Sequence, residues 1–424
     1  MRFCFIVPPS PWLIEQATFP PLGIGYLSGV LKQHGHEVEV VDLALGHQLP
    51  KHLDVDVIGY TGTTQHFPIV YELYKKLSKQ YSDTLHVIGG PHASSLPRQC
   101  HRLGFDYVVI GEGENGILKL VKNYPASGLI IEEAPVANLD SIPFPDWEAI
   151  HIQNYKYEID GAKATIVITS RGCPFKCAFC CKVWSRTVRF RSPENVMEEV
   201  RTLKENYDYE GIMFFDDTFI LDKKRVWRLC ELLKPLNIVW RAETRLIDDV
   251  ALLQQMYNSG CRELAIGVES GSNQILKVIE KDITVEQAKK TVELCHKVGI
   301  RVKAFLMIGL PGESKETVEA TRHFIQEAQP DDIDYSIYFP YPKSTIYDEK
   351  ERFDIQFDID YSKRDWMKFF EWGKAVQKGM PGEYKSVVRT SNLSQDEIVR
   401  LRDEVEGEFK VYNSETRRFI RLKS

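Results

Sequence analysis

Short apolar runs recur along this chain, and between them apolar residues return every three or four positions. The first rhythm is that of buried strands, the second that of amphipathic helices. Residues 2–7 read as a strand, 22–33 as a helix stopped by Gly35, and 36–42 as the next strand. Strands over 55–60, 85–88 and 107–110 continue the series, with a helix over 69–79 that gathers Val70, Leu73, Tyr74 and Leu77 on one face. The alternation resumes downstream, with strands expected over 164–169, 211–215, 238–242, 263–268, 302–308 and 333–339. Ser192-Pro193 starts the first helix of this second series, because a proline there gives up an N–H that has no partner anyway. Thr284-Val-Glu-Gln287 is a capping box for a helix over 286–298, which Gly299 ends. Ser394-Gln-Asp-Glu397 is another, opening a terminal helix striped by Ile398, Leu401 and Val405. Strands alternating with helices build parallel sheets covered on both faces. The expected class is α/β: a Rossmann-like sheet domain, then a partial (β/α) barrel, then a small mixed, partly helical C-terminal region.

Between the two series, residues 127–163 are proline-bearing and polar around Leu139-Asp-Ser-Ile-Pro-Phe-Pro-Asp-Trp147, a linker composition. That divides the 424 residues into a first domain over 1–126, a linker, a second domain over 164–342 and a C-terminal region over 343–424. The aromatic stretch 366–372 reads as core. Net charge is −6 with the signs interspersed, which gives no footprint for nucleic acid or an anionic membrane. Arg417, Arg418, Arg421 and Lys423 read as a solvated end. No apolar run reaches the ~20 residues that cross a bilayer. The N-terminal apolar run stops at Pro8-Pro9 and reads as a first strand, not a signal peptide. Of nine cysteines, Cys4, Cys100, Cys230, Cys261 and Cys295 are scattered singly. This is no secreted disulfide framework, and a reducing cytoplasm is the expected compartment.

The other four cysteines fall in Thr169-Ser-Arg-Gly-Cys-Pro-Phe-Lys-Cys-Ala-Phe-Cys-Cys181. Cys173, Cys177 and Cys180 stand at the spacing Cys-x-x-x-Cys-x-x-Cys. Three thiolates in one loop suit a 4Fe–4S cube that normally takes four, which leaves one iron open to an external chelator. A structural zinc site is the alternative, and it needs four protein ligands. Cys181 supplies a fourth only awkwardly, since adjacent side chains on an extended chain point apart. At these residues the chain resembles the radical S-adenosylmethionine (SAM) superfamily. The resemblance implies that the methionine end of SAM chelates the open iron and that an electron from the cluster releases a 5′-deoxyadenosyl radical. It also implies an aromatic near the cluster, which Phe175 and Phe179 supply.

The loops after the early strands are glycine-rich and polar: 8–21, 61–68, 89–95 and 111–115. Ligands of parallel sheets lie beyond the carboxyl ends of the strands, and glycine lets backbone approach them closely. With Gly89-Gly-Pro-His92 and Ile110-Gly-Glu-Gly-Glu114, these loops resemble the cobalamin-binding domain of cobalamin-dependent radical SAM enzymes. On that resemblance the corrin lies across them, and the candidate contacts are Thr61, Thr63, Gln65, His66, Gly90, His92, Gly111, Glu112 and Gly113. The Asp-x-His-x-x-Gly signature that ligates cobalt in many cobalamin proteins is absent. Imidazole is a competent cobalt ligand, so His66 is a candidate for the lower face, beside Gln65 as a non-ligating contact. A histidine before Phe-Pro is equally a helix-entry or packing residue.

Chemistry belongs at the carboxyl ends of barrel strands. There the resemblance assigns SAM contacts. Asp216 and Asp217 in Phe214-Phe-Asp-Asp-Thr218 stand where the family holds the SAM amino group, though a helix cap also uses Asp. An arginine of Trp240-Arg-Ala-Glu-Thr-Arg245 can pair with the SAM carboxylate, and Arg241 is the better positional match. Glu269 and Ser270 of Gly267-Val-Glu-Ser-Gly271 match the contacts to ribose and methionine. Met307 and Ile308 are adenine wall or barrel core. Arg186, Arg189 and Arg191 can meet a substrate carboxylate or lie on the surface. The function implied is methylation of an unactivated carbon by a cobalamin-dependent radical SAM methyltransferase. Ring contraction, cyclisation or oxidation without methyl transfer is the alternative, as is a cobalamin-free enzyme or a corrinoid-binding sensor. A methylthio-transferase is disfavoured, because only Cys4 and Cys100 precede the linker. The implied partners are a small-molecule or peptide substrate and an external flavodoxin- or ferredoxin-type electron donor.

Overall fold

The computed structural model describes residues 1–11, 13, 15–181, 185–363, 384–413 and 418–421. The aromatic stretch 366–372 lies outside them, as do Arg417 and Lys423. The chain divides into two compact units, residues 1–157 with 360–370, and residues 158–359 with 371–424.

In the first unit, β1 (Arg2–Val7), α1 (Leu22–Gln33), β2 (Glu37–Asp42), β3 (Val57–Thr61), α2 (Phe67–Gln80) and β4 (Leu85–Gly89) follow in turn. Then come α3 (Gly90–Ser95), α4 (Pro97–Arg102), β5 (Tyr107–Ile110), α5 (Gly113–Asn123) and β6 (Leu129–Glu132). The six strands run parallel in the order β2-β1-β3-β4-β5-β6. The order reverses between β1 and β3, so a crevice opens there at the carboxyl edge.

Most of the stretch with linker composition, up to Tyr157, is built into this unit, and its last residues open the second. Leu129–Glu132 supplies the sixth strand. Beyond it, Pro143 to Asp146 lie in a groove on α1 that two glycines open. A Cβ on Gly25 would stand 2.9 Å from Pro145 Cβ, and one on Gly29 2.7 Å from the Phe144 carbonyl. Asp146 closes the contact, accepting from Ser28 Oγ at 2.5 Å and pairing with Lys32 at 2.6 Å. Trp147, Ile150, Ile152 and Tyr155 are buried behind it, and the Tyr155 hydroxyl donates to Asp42. Prolines that read as a break in structure are here the shape that fits a glycine groove.

The second unit begins with the hairpin β7 (Glu158–Ile159) and β8 (Ala162–Val167), followed by the short pair β9 (Ser170–Arg171) and β10 (Arg189–Phe190). Next are α6 (Pro193–Tyr207), β11 (Gly211–Phe214), α7 (Lys223–Leu233), β12 (Val239–Thr244) and α8 (Val250–Asn258). β13 (Cys261–Glu269), α9 (Asn273–Val278), α10 (Val285–Val298), β14 (Arg301–Ile308), α11 (Lys315–Ala328) and β15 (Asp332–Ile337) complete the repeat. The sheet order is β15-β14-β13-β12-β11-β8-β7, parallel from β8 to β15, which is a partial barrel. Burial alternates along β12: Trp240, Ala242 and Thr244 are buried, while Arg241 and Glu243 are half-buried. The buried set faces the helices and the half-buried set faces the lumen. Both expected capping boxes are present, at Thr284 with Gln287 and at Ser394 with Glu397.

The remainder comprises α12 (Thr345–Asp348), the pair β16 (Gln356–Phe357) and β17 (Val388–Arg389), α13 (Gln395–Phe409), which packs on β15, and the hairpin β18 (Lys410–Asn413) and β19 (Arg418–Arg421). Arg402 of α13 donates to the Tyr335 carbonyl at 3.1 Å.

Candidate active site

At the carboxyl edge of the first sheet, Ser10 and His66 tie together the loops that flank the β1/β3 crevice. His66 Nε2 lies 2.8 Å from Ser10 Oγ, and its Nδ1 lies 2.8 Å from Thr63 Oγ1. Burial pushes the imidazole down to about 4, so it is neutral. With both nitrogens held by hydroxyls, His66 braces the crevice; serving cobalt would cost it one of these bonds. Gly90 sits at φ +85, and a Cβ there would stand 2.6 Å from Thr61 Oγ1, so only glycine fits. His92 is buried, its ring stacked on Phe67 with centroids 3.6 Å apart and Nδ1 3.3 Å from Thr64 Oγ1. It is a core histidine, and the segment read as a loop from Gly89 is a helix started by Pro91. Gly113 is spent on packing, since a Cβ there would meet Leu27 at 2.9 Å. Gly111, at φ +76, has open space on its Cβ side, and Glu112 beside it is half-buried at the head of α5. Gln65 is buried beside His66.

In the second unit the cysteine loop hangs from the β9–β10 clamp. Asp216, arriving from β11, locks the root of the loop. Its carboxylate accepts from Thr169 N at 2.6 Å, Thr169 Oγ1 at 2.5 Å and Ser170 Oγ at 2.8 Å. Burial pushes the carboxyl up and these donors oppose it. Arg225 donates to the Thr169 carbonyl at 2.8 Å, and Arg191 to the Ile168 carbonyl at 2.9 Å and to the buried Glu199. Asp216 is therefore a brace with its oxygens committed, whereas Asp217 is exposed. Desolvation raises the Asp217 carboxyl, Asp216 adds to that, and the Gly172 amide opposes it. Asp216→Ala strands three donors in the interior, each at ~1–3 kcal/mol. The expected result is a clear fall in melting temperature by calorimetry, with Asp217→Ala melting like the parent.

Within the loop, Cys177 is buried, Cys173 half-buried and Cys180 exposed. Desolvation raises the Cys177 thiol, while Lys281 and Arg245 pull it down. Cys180 is pushed up to about 11 by desolvation and by the charges of Cys177 and Cys173. Cys181 is pushed up to about 12 by desolvation, then by Cys180 and Asp348. It lies toward Tyr338 and Tyr341, whose hydroxyls feel it. Arg245, one residue past β12, has its guanidinium 3.6 Å over the Phe175 ring and 3.7 Å from Cys177 Sγ. Arg241 lies deeper, at mid-strand, paired with Glu263 at 3.0 Å. Glu269, at φ +71 after a bulge, pairs with Lys281 at 2.7 Å. Ser270 is fully buried and its hydroxyl accepts from Ser272 N at 3.2 Å. Along β14, Met307 is half-buried on the lumen side and Ile308 fully buried on the helix side, so the two are separated by the pleat.

β14 ends on Gly309-Leu-Pro-Gly-Glu313, which folds back on itself. Glu313 accepts from the amides of Gly309 and Leu310, and burial pushes its carboxyl up to about 8. The folded state holds this proton well above the unfolded value of roughly 4.3. Its contribution to stability is complete below that value and is lost as pH rises through 8. Glu313→Gln keeps the acceptor and removes the titration. The fall in melting temperature between pH 6 and pH 8.5 should therefore shrink in this variant; an unchanged fall would show that Glu313 is not its source.

Residues 167–325 match the Radical SAM superfamily, and residues 16–121 match the B12 binding domain. An uncharacterized methyltransferase of Pyrococcus horikoshii is 33% identical over 82% of this chain and 83% of its own length. The chain belongs to the cobalamin-dependent radical SAM family. The anaerobic magnesium-protoporphyrin IX monomethyl ester cyclase of Cereibacter sphaeroides is 28% identical over 85% of this chain and 65% of its own length. Among solved structures, the radical S-adenosylmethionine methyltransferase TsrM from Kitasatospora setae, with cobalamin and a 4Fe–4S cluster bound, aligns at a TM-score of 0.66. It shares 18% identity, with 82% of this chain and 75% of that one covered, and shows the same fold.

The cofactors of this cobalamin-dependent radical SAM enzyme are a 4Fe–4S cluster, SAM and cobalamin. Among the described residues no three His, Cys, Asp or Glu side chains already stand as a metal cage. The donor set nevertheless fits the cluster: three soft thiols lie in one loop, and two cations, Arg245 and Lys281, offset thiolate charge at Cys177. In the sequence Arg245 is the lesser positional match beside Arg241, and nothing local marks Lys281, Arg225 or Glu199. Strand alternation puts Arg241 and Glu243 on one face of β12, and Arg245 follows just past its end, so position along the chain direction is what separates the two arginines. Arg191 is neither a surface charge nor open to substrate; it is buried against Glu199. Among the described residues no helix is long and apolar enough to cross a membrane.

Proposed function

We propose that this enzyme is a carbon methyltransferase acting on an unactivated C–H bond. The observation that carries it is the similarity over 82% of the chain to a protein named a methyltransferase. The cluster with SAM would supply the 5′-deoxyadenosyl radical, and cobalamin the methyl group. Cys173, Cys177 and Cys180 hold the cluster. Asp217 takes the SAM amino group, and Arg245, beside the cluster loop, takes its carboxylate in place of Arg241. Glu269 receives the ribose hydroxyls, Ser270 shapes the turn behind them, and Met307 faces the adenine. In the first unit, Thr61, Thr63, Gln65, Gly90, Gly111 and Glu112 border the corrin, and His66 orders the crevice from below. The protein's share is to align the reacting atoms and keep water out; hydrogen-atom transfer needs no general base. The substrate is a small molecule or peptide, the electron donor is of flavodoxin or ferredoxin type, and the reaction belongs in the cytoplasm.

The likeness to a cyclase supports a second reading, oxidation or ring closure without methyl transfer. Anaerobic reconstitution with iron, sulfide and cobalamin, followed by dithionite and methyl-deuterated SAM, separates the two. Methylation predicts deuterated methyl on the bound cobalamin together with S-adenosylhomocysteine. Deoxyadenosine alone, with the cobalamin never labelled, would sink the methyltransferase reading.

A further inference from the structure

The segment after α9 is held in an uncommon backbone shape. Glu280 and Asp282 sit at φ +54 and +56, and Glu269 opposite them at +71. Non-glycine residues pay on the order of 1–3 kcal/mol for such conformations, which persist where the surroundings enforce them. These three residues bracket Lys281. Its ammonium is 2.7 Å from Glu269 Oε1, and the two side chains are 7% and 9% exposed. Gly267 beneath them leaves the space, since a Cβ there would stand 2.5 Å from Glu269 Oε1 and 2.8 Å from Lys281 Nζ. The same ammonium lies 5.6 Å from the centroid of Phe179, the residue before Cys180, and its charge reaches Cys177. The backbone makes the same connection. Ala178 N donates to Ile279 O at 2.8 Å, and Arg245 donates to the Lys281 carbonyl. A buried ion pair adds little net stability over an apolar pair of the same shape, so stability alone does not account for this one.

We propose that Lys281 is a positioning residue that couples SAM binding at Glu269 to reduction of the cluster. Hydroxyls arriving at Glu269 draw its negative charge away from the ammonium, and Lys281 then presents more uncompensated positive charge to the cysteine loop. That charge favours the one-electron reduction of the cluster from the 2+ to the 1+ state by a low-potential donor. Coupling is reciprocal, so reduction tightens SAM binding by the same factor. A factor of about ten, within the ordinary range for coupled sites, equals a midpoint rise of about 59 mV for one electron. The inference rests on the reading of Glu269 as the ribose contact.

The test is a dithionite titration of the anaerobically reconstituted full chain, followed by electron paramagnetic resonance of the reduced cluster, with and without SAM. SAM should raise the midpoint in the parent, Lys281→Gln should lose most of that rise, and Lys281→Arg should recover it. Glu269→Gln, which releases the ammonium from its partner, should raise the midpoint before SAM is added. An equal SAM-induced rise in the parent and Lys281→Gln overturns the proposal. Should Lys281→Gln fail to hold a cluster, an unmoved SAM-free midpoint in Glu269→Gln overturns it instead. Equilibrium dialysis of SAM against oxidised Glu269→Ala tests the underlying reading separately: parental affinity there removes Glu269 from the SAM site.

Discussion

Alanine at Cys173, Cys177 or Cys180 is expected to abolish iron loading and SAM cleavage together, while Cys181→Ala leaves both intact. A cube held by three thiolates loses a corner ligand with any one of them. Cys181 is a poor spare, because it follows Cys180 directly and adjacent side chains on an extended chain point apart. Iron and sulfide per chain after anaerobic reconstitution give the first readout, and deoxyadenosine released with dithionite gives the second. The parent and Cys181→Ala should each carry about four irons, and the other three variants should fall to background. A Cys181→Ala protein without iron would mean that the fourth corner is filled by the chain, and a corner filled in that way has no place for SAM.

A large effect on stability is expected at Arg191. Its guanidinium pairs with the fully buried Glu199 and also donates to the Ile168 carbonyl at 2.9 Å and to Asn195 Oδ1 at 2.7 Å. Burial raises the Glu199 carboxyl, and only Arg191 opposes that. Arg191→Met leaves a buried carboxylate without its cation, at a cost of ~3–5 kcal/mol. In a unit of this size that is a drop of about 10 °C or more in melting temperature. The double variant Arg191→Met with Glu199→Leu removes both charges and should recover most of the loss. A single variant that melts within about 2 °C of the parent would show that the pair contributes little.

What was legible in the sequence follows from what has a period. The bounds expected for β1 and α1 coincide with those observed, because a buried strand and an amphipathic helix each repeat their pattern within a few residues. The cysteine spacing was legible for the same reason, since all of its parts lie within one loop. Contacts between distant residues leave no such mark. Pro143 to Pro145 read as a breaker, and nothing local shows that Gly25 and Gly29, more than a hundred positions earlier, make a groove for them. The helix from Gly90 was hidden by a Gly-Gly-Pro sequence that also suits a turn. Asp216 and Asp217 were indistinguishable as neighbouring carboxylates. One proves to be saturated by Thr169 and Ser170 and the other exposed, a difference set by which way a single residue points as it leaves β11.

The far end of the barrel carries a consequence of its own. Asp160, in the turn of the opening hairpin, reaches across to Arg301 on β14 at 2.6 Å, and Lys303 and Lys410 converge on Asp332 at 3.0 Å each. With Arg241 and Glu263 nearby on β12 and β13, these charges lie at the end of the barrel away from the cysteine loop. They tie together the amino ends of the strands and leave the carboxyl ends untouched, so changing them should alter how firmly the barrel holds and leave its chemistry in place.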